Sequence, residues 1–257
     1  MSKDVTPIEA LPPHIADELD QLAKRFRQAD GVGMQVLSLL GGQAEDLLGR
    51  LPMPVRQALD RSTRMGLEVA YDAAFASRGR LADRSDWLNT AAATLMGAAG
   101  GAGGLPTAVA ELPVTITVLL RAIQGIAADL GFDVENPVVR AQCMQIFAAA
   151  GPLARDDGTD LAFLSTRVTL TGAALHGIIA RIAPKFAAVL GQKLAAQTVP
   201  IIGAAAGAAT NYAFTSYYQE MARVYFGLRA LARDSDLDVE TLLREFQLRV
   251  RPAILVE

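Results

Sequence analysis

Apolar residues recur at helical spacing along nearly the whole chain. Leu19, Leu22 and Phe26 stand three and four apart beside Asp17 and Glu18, which predicts a charged, amphipathic first helix. Pro54 opens a second helix. Val55, Leu59, Ser62, Gly66 and Val69 fall on one face of it, and Arg56–Asp60 and Arg64–Glu68 form i,i+4 pairs on the other. Pro113 opens a third, which Asp129-Leu130-Gly131 closes with a glycine just past the last turn. Phe214, Tyr217, Met221, Val224, Leu228 and Leu231 trace another stripe and read as core. Ser235 followed by Asp238 reads as a cap for a last helix through Leu242 and Phe246. No segment alternates with period two between turn residues. The expected fold is all-α, a single multi-helix bundle with no β-sheet. Residues 1–30 are expected to form a charged N-terminal extension or first helix, and residues 31–257 the helical domain.

The third helix says most. Val114, Ile116, Val118, Leu119, Leu120, Ile123 and Ile126 occupy most of its circumference, and Thr117, Arg121 and Gln124 make one narrow polar stripe. Such a helix is either buried or faces lipid. Arg121 must find a carboxylate, a carbonyl or water, so it ends either in an internal pair or on a ligand or lipid headgroup. Glu111 precedes the helix start, where the dipole favours a carboxylate. Buried there, it would also suit acid–base work.

Charge is distributed unevenly. Met1 to Thr90 carries 11 basic and 13 acidic residues, whereas the longer stretch from Ala91 to Gln219 carries only 7 of each. Two uncharged runs, Asn89–Ala110 and Leu194–Gln219, are long enough to cross a bilayer. The first has few strongly inserting side chains and is broken by Pro106 and glycines, and the second carries Gln197, Thr198, Thr210, Asn211 and Thr215. Close-packed soluble helices are therefore expected, with conditional membrane contact and true transmembrane spans as the alternatives. Apolar residues make up 51% of the chain, which excludes intrinsic disorder, and the net charge of -3 excludes a dedicated nucleic-acid binder. One cysteine and two histidines give no disulfide framework and no metal site, and no cofactor is expected.

Gly97/Gly101, Gly100/Gly104 and Gly203/Gly207 are Gly-x-x-x-Gly pairs that let a second backbone approach closely. A helical hairpin bend is expected near Gly103-Gly104-Leu105-Pro106. His176 and Cys143 read as core residues. Asp157 or Thr159 reads as a helix cap rather than part of a calcium loop. Tyr212, Tyr217, Tyr218 and Tyr225, near Arg223, Arg229 and Arg233, suit either a core or a membrane interface.

The segment GAAGGAGGLPTAVAELPVTITVLLRAIQGIAADLGFD, with its Gly-rich run, acidic-x-Pro step and closing Gly-Phe-Asp, resembles the bacterial EcsC family. So does KLAAQTVPIIGAAAGAATNYAFTSYYQEMARVYFGLRAL, which runs from a Lys through Pro-x-x-Gly and Asn to Tyr-Phe-x-x-Arg. The resemblance spans about Leu51 to Ala232. It matches Gly104, Glu111, Pro113, Arg121 and Gly131, then Lys193, Pro200, Gly203, Asn211 and Arg229. The family is named for a protein encoded beside an ABC-type exporter, and the resemblance brings no catalytic residues with it.

Three functions follow as expectations. The first is a non-enzymatic cytoplasmic protein, peripheral at the inner face of the membrane or bound to a membrane transporter or envelope machinery. The absence of a basic-then-apolar leader at the start favours that compartment. The second is an enzyme or carrier that holds a small apolar ligand between helices with Glu111, Arg121 and Asn211. The third is a self-associating scaffold, a homo-oligomer packed through its glycine faces. Lys193 and Arg229 complete the set of candidate polar residues.

Overall fold

Pro-initiated, apolar-striped segments become long helices here because each buries one face against another. The computed structural model describes residues 11–39, 51–78, 112–149, 161–165, 174–197 and 203–250. Among them stand eight α-helices and one 3₁₀ turn, with no strand, and the all-α expectation is met. The helices are α1 (Pro13–Leu39), α2 (Met53–Arg78), α3 (Leu112–Asp129), α4 (Pro137–Gln145), α5 (Ala162–Ser165), α6 (Ala174–Gln197), α7 (Gly203–Ser235) and α8 (Val239–Val250); the 3₁₀ turn, Ile146–Ala148, extends α4. Helix α1 runs unbroken through position 30. The run Asn89–Ala110 and the expected bend at Gly103–Pro106 lie outside the described residues, as do Asp157 and Thr159.

Helix α7 is the axis of the bundle, packing against α1, α3, α6 and α8. Its stripe of Phe214, Tyr217, Met221, Val224 and Leu228 is buried, but so are Tyr218, Ala222, Tyr225 and Phe226 on other sides. A helix enclosed on several faces must be apolar on several faces. Its aromatics act as fasteners. Phe147 stacks on Phe186 at 4.5 Å, and Tyr218 meets both rings edge-on at 5.4 and 5.7 Å. That triangle joins the 3₁₀ turn, α6 and α7. Tyr217, Tyr218 and Tyr225 are core residues; Tyr212 remains half exposed.

Helix α1 buries Ile15, Leu19, Leu22, Ala23 and Phe26, and Phe26 meets Phe246 of α8 edge-on at 5.9 Å. Arg249 of α8 bonds Asp20 at 2.9 Å, and Arg27 donates to the Arg249 carbonyl at 2.7 Å. That places a cation where the α8 dipole is negative.

Three details differ from the sequence reading. On α2 the buried residues are Leu59, Thr63, Gly66, Leu67 and Ala70, whereas Val69 is 55% exposed. At 100° per residue Val69 lies about 80° from Leu59, beyond the strip that α3 and α6 cover. Gln124, placed in a polar stripe with Thr117 and Arg121, is wholly buried. Ser235 does not cap the last helix: it ends α7 and its Oγ donates to the Leu231 carbonyl. Asp238 does cap α8, accepting from the Glu240 N–H at 3.1 Å.

Candidate functional site

Two places gather polar groups around α7. The first is internal and follows from the Tyr-Phe-x-x-Arg spacing. Tyr225 and Arg229 stand one turn apart, so they share a face, while Phe226 meets the Tyr225 ring edge-on at 5.2 Å and Phe132 at 5.1 Å. The Arg229 guanidinium carbon lies over the Tyr225 ring, 3.5 Å from its centroid. It donates Nη1 to the Tyr225 carbonyl at 3.1 Å and Nη2 to the Leu164 carbonyl at 3.2 Å. Phe163 stacks on the far side of this cluster, 6.4 Å from Tyr225. Arg229 therefore ties α5 to α7, and among the described residues no carboxylate pairs with it. Burial pushes the Tyr225 hydroxyl up to about 12, against the nearby Arg229 charge. Burial lowers the pKa of Arg229 itself. Burial also raises Tyr218, whose hydroxyl finds no partner among the described residues.

The C-terminal end of α3 is fixed to the same axis. Gly131 takes a positive φ of 79°, and the bonds Gly131 N–H to Ala128 O and Phe132 N–H to Ala127 O close a Schellman turn. The expected role of Gly131 is thus met. Arg233 donates Nη1 to the Leu130 carbonyl at 3.3 Å and lies 5.2 Å from the Phe132 ring.

The second place is a groove of about 530 Å³ between α1, the end of α3 and α7. Helices α1 and α7 run in opposite directions there: Arg25 reaches Glu220, Leu22 lies against Gly227, and the earlier residues of α1 face the later ones of α7. The floor is apolar, formed by Ile15, Leu22, Ile126 and Leu231. At one end Arg25 and Arg223 both bond Glu220, Arg25 at 3.2 Å. At the other stand His14, Glu18, Asp129 and Asp234, the last paired with Arg233 at 2.7 Å.

Of the residues singled out from the sequence, Asn211 and Arg229 stand apart on one helix. Asn211 is buried on α7, but Arg229 follows 18 residues later, about 27 Å along the same helix. Arg121 is half-buried on α3, on the side that also carries Val114, Val118 and Gly125. The backbones of Lys193, Gly203 and Gly207 lie in α6 and α7. Glu111, Gly97, Gly101, Gly104 and Pro200 lie outside the described residues. Sequence reasoning placed Gln124 in a polar stripe and missed its burial; its carboxamide oxygen and nitrogen both lack a partner among the described residues. It also passed over the Arg25–Glu220–Arg223 group. Half of that group was legible as an i,i+3 pair, but Arg25 is 195 positions away from Glu220.

The EcsC protein family matches residues 53–231, most of the chain and nearly all of the segment from α2 to α7. The chain belongs to the EcsC family. No curated protein and no solved structure matched it. Within this EcsC chain the matched segment includes the Tyr225–Arg229 stack and the Gly131 turn. Helix α8 and the whole of α1, which supplies one wall of the groove, fall outside it.

Proposed function

We propose that this EcsC-family chain is a non-enzymatic protein that works at the cytoplasmic surface of the membrane, docked peripherally on the bilayer or on transporter machinery within it. The observation that carries this reading is a set of three exposed aliphatic side chains on the two helices that meet at the α2–α3 crossing. Met65 is 56% exposed, Val69 55% and Val114 52%. All three lie within one helical turn of the point where Gly66 approaches Pro113. Isolated exposed apolar residues are ordinary; several at one crossing are better explained by contact with something apolar.

Helix α3 adds support. It is long and apolar enough to cross a membrane by composition, with mean hydropathy 1.3, and among the described residues no other helix is. Its Ile116, Leu119, Leu120, Ile123 and Ile126 are buried against protein, and crossing a bilayer would sacrifice that packing. Surface docking keeps it. The outward side of α3, with Val114, Val118, Gly125 and a single cation at Arg121, suits a headgroup boundary better than open water.

The test is cell fractionation at low and high salt, joined to co-sedimentation with phosphatidylglycerol/phosphatidylethanolamine vesicles. Completing the burial of three half-exposed aliphatic side chains is worth about 3 kcal/mol, roughly 100-fold in partitioning. The triple variant Met65→Ser, Val69→Ser, Val114→Ser should leave the membrane fraction while keeping its helical circular dichroism. A wild-type protein that is wholly soluble at both salt concentrations refutes the reading.

A further inference from the structure

We infer that the junction of α5 and α7, where Arg229 lies over the Tyr225 ring, is a binding site for a small tetrahedral oxyanion, a phosphate or sulfate group. Hydrogen-bond donors outnumber acceptors there. A guanidinium carries five N–H donors and no acceptor. Arg229 gives one to the Tyr225 carbonyl and one to the Leu164 carbonyl, and no further acceptor meets it among the described residues. The Tyr225 hydroxyl projects from the edge of the ring that the guanidinium overlies, close enough to feel its charge. That hydroxyl is buried and finds no partner among the described residues. Spare N–H groups of a cation beside an orphaned O–H call for one kind of ligand, an acceptor with negative charge.

The charge balance along α7 singles out this arginine. Arg223 bonds Glu220 and Arg233 bonds Asp234, whereas Arg229 has no carboxylate among the described residues. Burial lowers its pKa, as it does for a cation that the protein leaves without a counter-charge. The two carbonyl bonds hold the guanidinium in place, so an arriving anion need not order it. The aromatic walls of Tyr225 and Phe163 exclude water and strengthen the attraction. Arg229 itself is only half-buried, so a small ion can reach it. Its N–H groups and the phenol O–H donate from different directions, which suits oxygens arranged tetrahedrally better than the flat edge of a carboxylate. The inference does not rest on the membrane reading, because it uses none of Met65, Val69 or Val114.

The test is isothermal titration and thermal unfolding of the full chain with inorganic phosphate, sulfate and glycerol 3-phosphate, at constant ionic strength set with chloride. Phosphate and sulfate are expected to bind and to raise the melting temperature, and chloride alone to do neither. Tighter binding of glycerol 3-phosphate than of phosphate assigns the site to a phosphate ester such as a lipid headgroup; the reverse order assigns it to the free ion. Tyr225→Phe removes only the unpartnered hydroxyl. It should melt at or above wild type without ligand, yet bind phosphate about tenfold more weakly, a loss that a merely structural hydroxyl would not produce. Arg229→Gln should abolish binding while the helical circular dichroism persists. The inference is overturned if neither phosphate nor sulfate binds wild type, if chloride stabilises it equally, or if Tyr225→Phe binds phosphate like wild type.

Discussion

Two glycines in neighbouring helices should respond to the same substitution with opposite signs. Gly66 lies inside α2 and Gly125 inside α3. Replacing a mid-helix glycine by alanine is worth about 1 kcal/mol in backbone propensity. At Gly125 nothing among the described residues lies within 4 Å of an added methyl group, so that gain stands alone. At Gly66 the new carbon would come 2.6 Å from Ile116 Cδ1 and 3.3 Å from Pro113 Cα. Ile116 is wholly buried and Pro113 Cα is backbone, so neither can yield cheaply. Overpacking of that kind costs about 1–3 kcal/mol, which outweighs the propensity gain. Gly125→Ala should be stabilised by about 1 kcal/mol and Gly66→Ala destabilised by about 1. At roughly 2–4 °C per kcal/mol the two variants should melt some 4–8 °C apart. Gly227→Ala is an internal control. Its methyl group would meet the end of the Leu22 side chain at 2.8 Å, but Leu22 borders the open groove and can move. That variant should stay near wild type. Thermal melts and urea titrations of the four proteins settle the matter. Equal stability of Gly66→Ala and Gly125→Ala would refute the close α2–α3 approach.

Arg229→Ala removes two bonds to carbonyls and a ring contact and should cost about 2–4 kcal/mol in urea unfolding. Arg229→Lys keeps the charge without the planar fork and should recover only part of that loss. Tyr225 has a folded pKa raised to about 12 against an ordinary value of 10.0, so the unfolded chain releases this proton first as pH rises. Its contribution is intact below pH 10 and is lost between about 10 and 12, a decline of roughly 2–3 kcal/mol. Tyr225→Phe should make that decline shallower, leaving the part that buried Tyr218 contributes, and a folded protein whose buried tyrosines titrate near pH 10 would contradict it. Gln124→Leu replaces a buried carboxamide lacking partners among the described residues with a side chain of similar volume. It should raise stability by about 1–2 kcal/mol, read as a higher urea midpoint at unchanged slope.

The linear pattern alone determined that the described segments are helical, where α3 stops and that no strand forms among the described residues. Those outcomes are local: residue spacing fixes an angle about the helix's own axis, and a glycine after Asp129-Leu130 fits a positive φ at low cost. Family membership was legible for a related reason, because the Tyr-Phe-x-x-Arg spacing is a one-turn geometry that α7 turns into a ring–guanidinium stack. Spacing does not say which neighbour covers which angular sector. Val69 and Thr63 could each have faced the core of α2, and only the placement of α3 and α6 left the valine outside and the threonine inside. Gln124 read as part of a polar stripe until α3 was packed into the bundle. The groove and its two arginines exist only because α1 lies antiparallel to α7, which brings Arg25 to Glu220 across 195 residues of chain. Gly66 and Gly125 are the same letter in the sequence, and only the distance to the next backbone distinguishes a glycine that is needed from one that is merely tolerated.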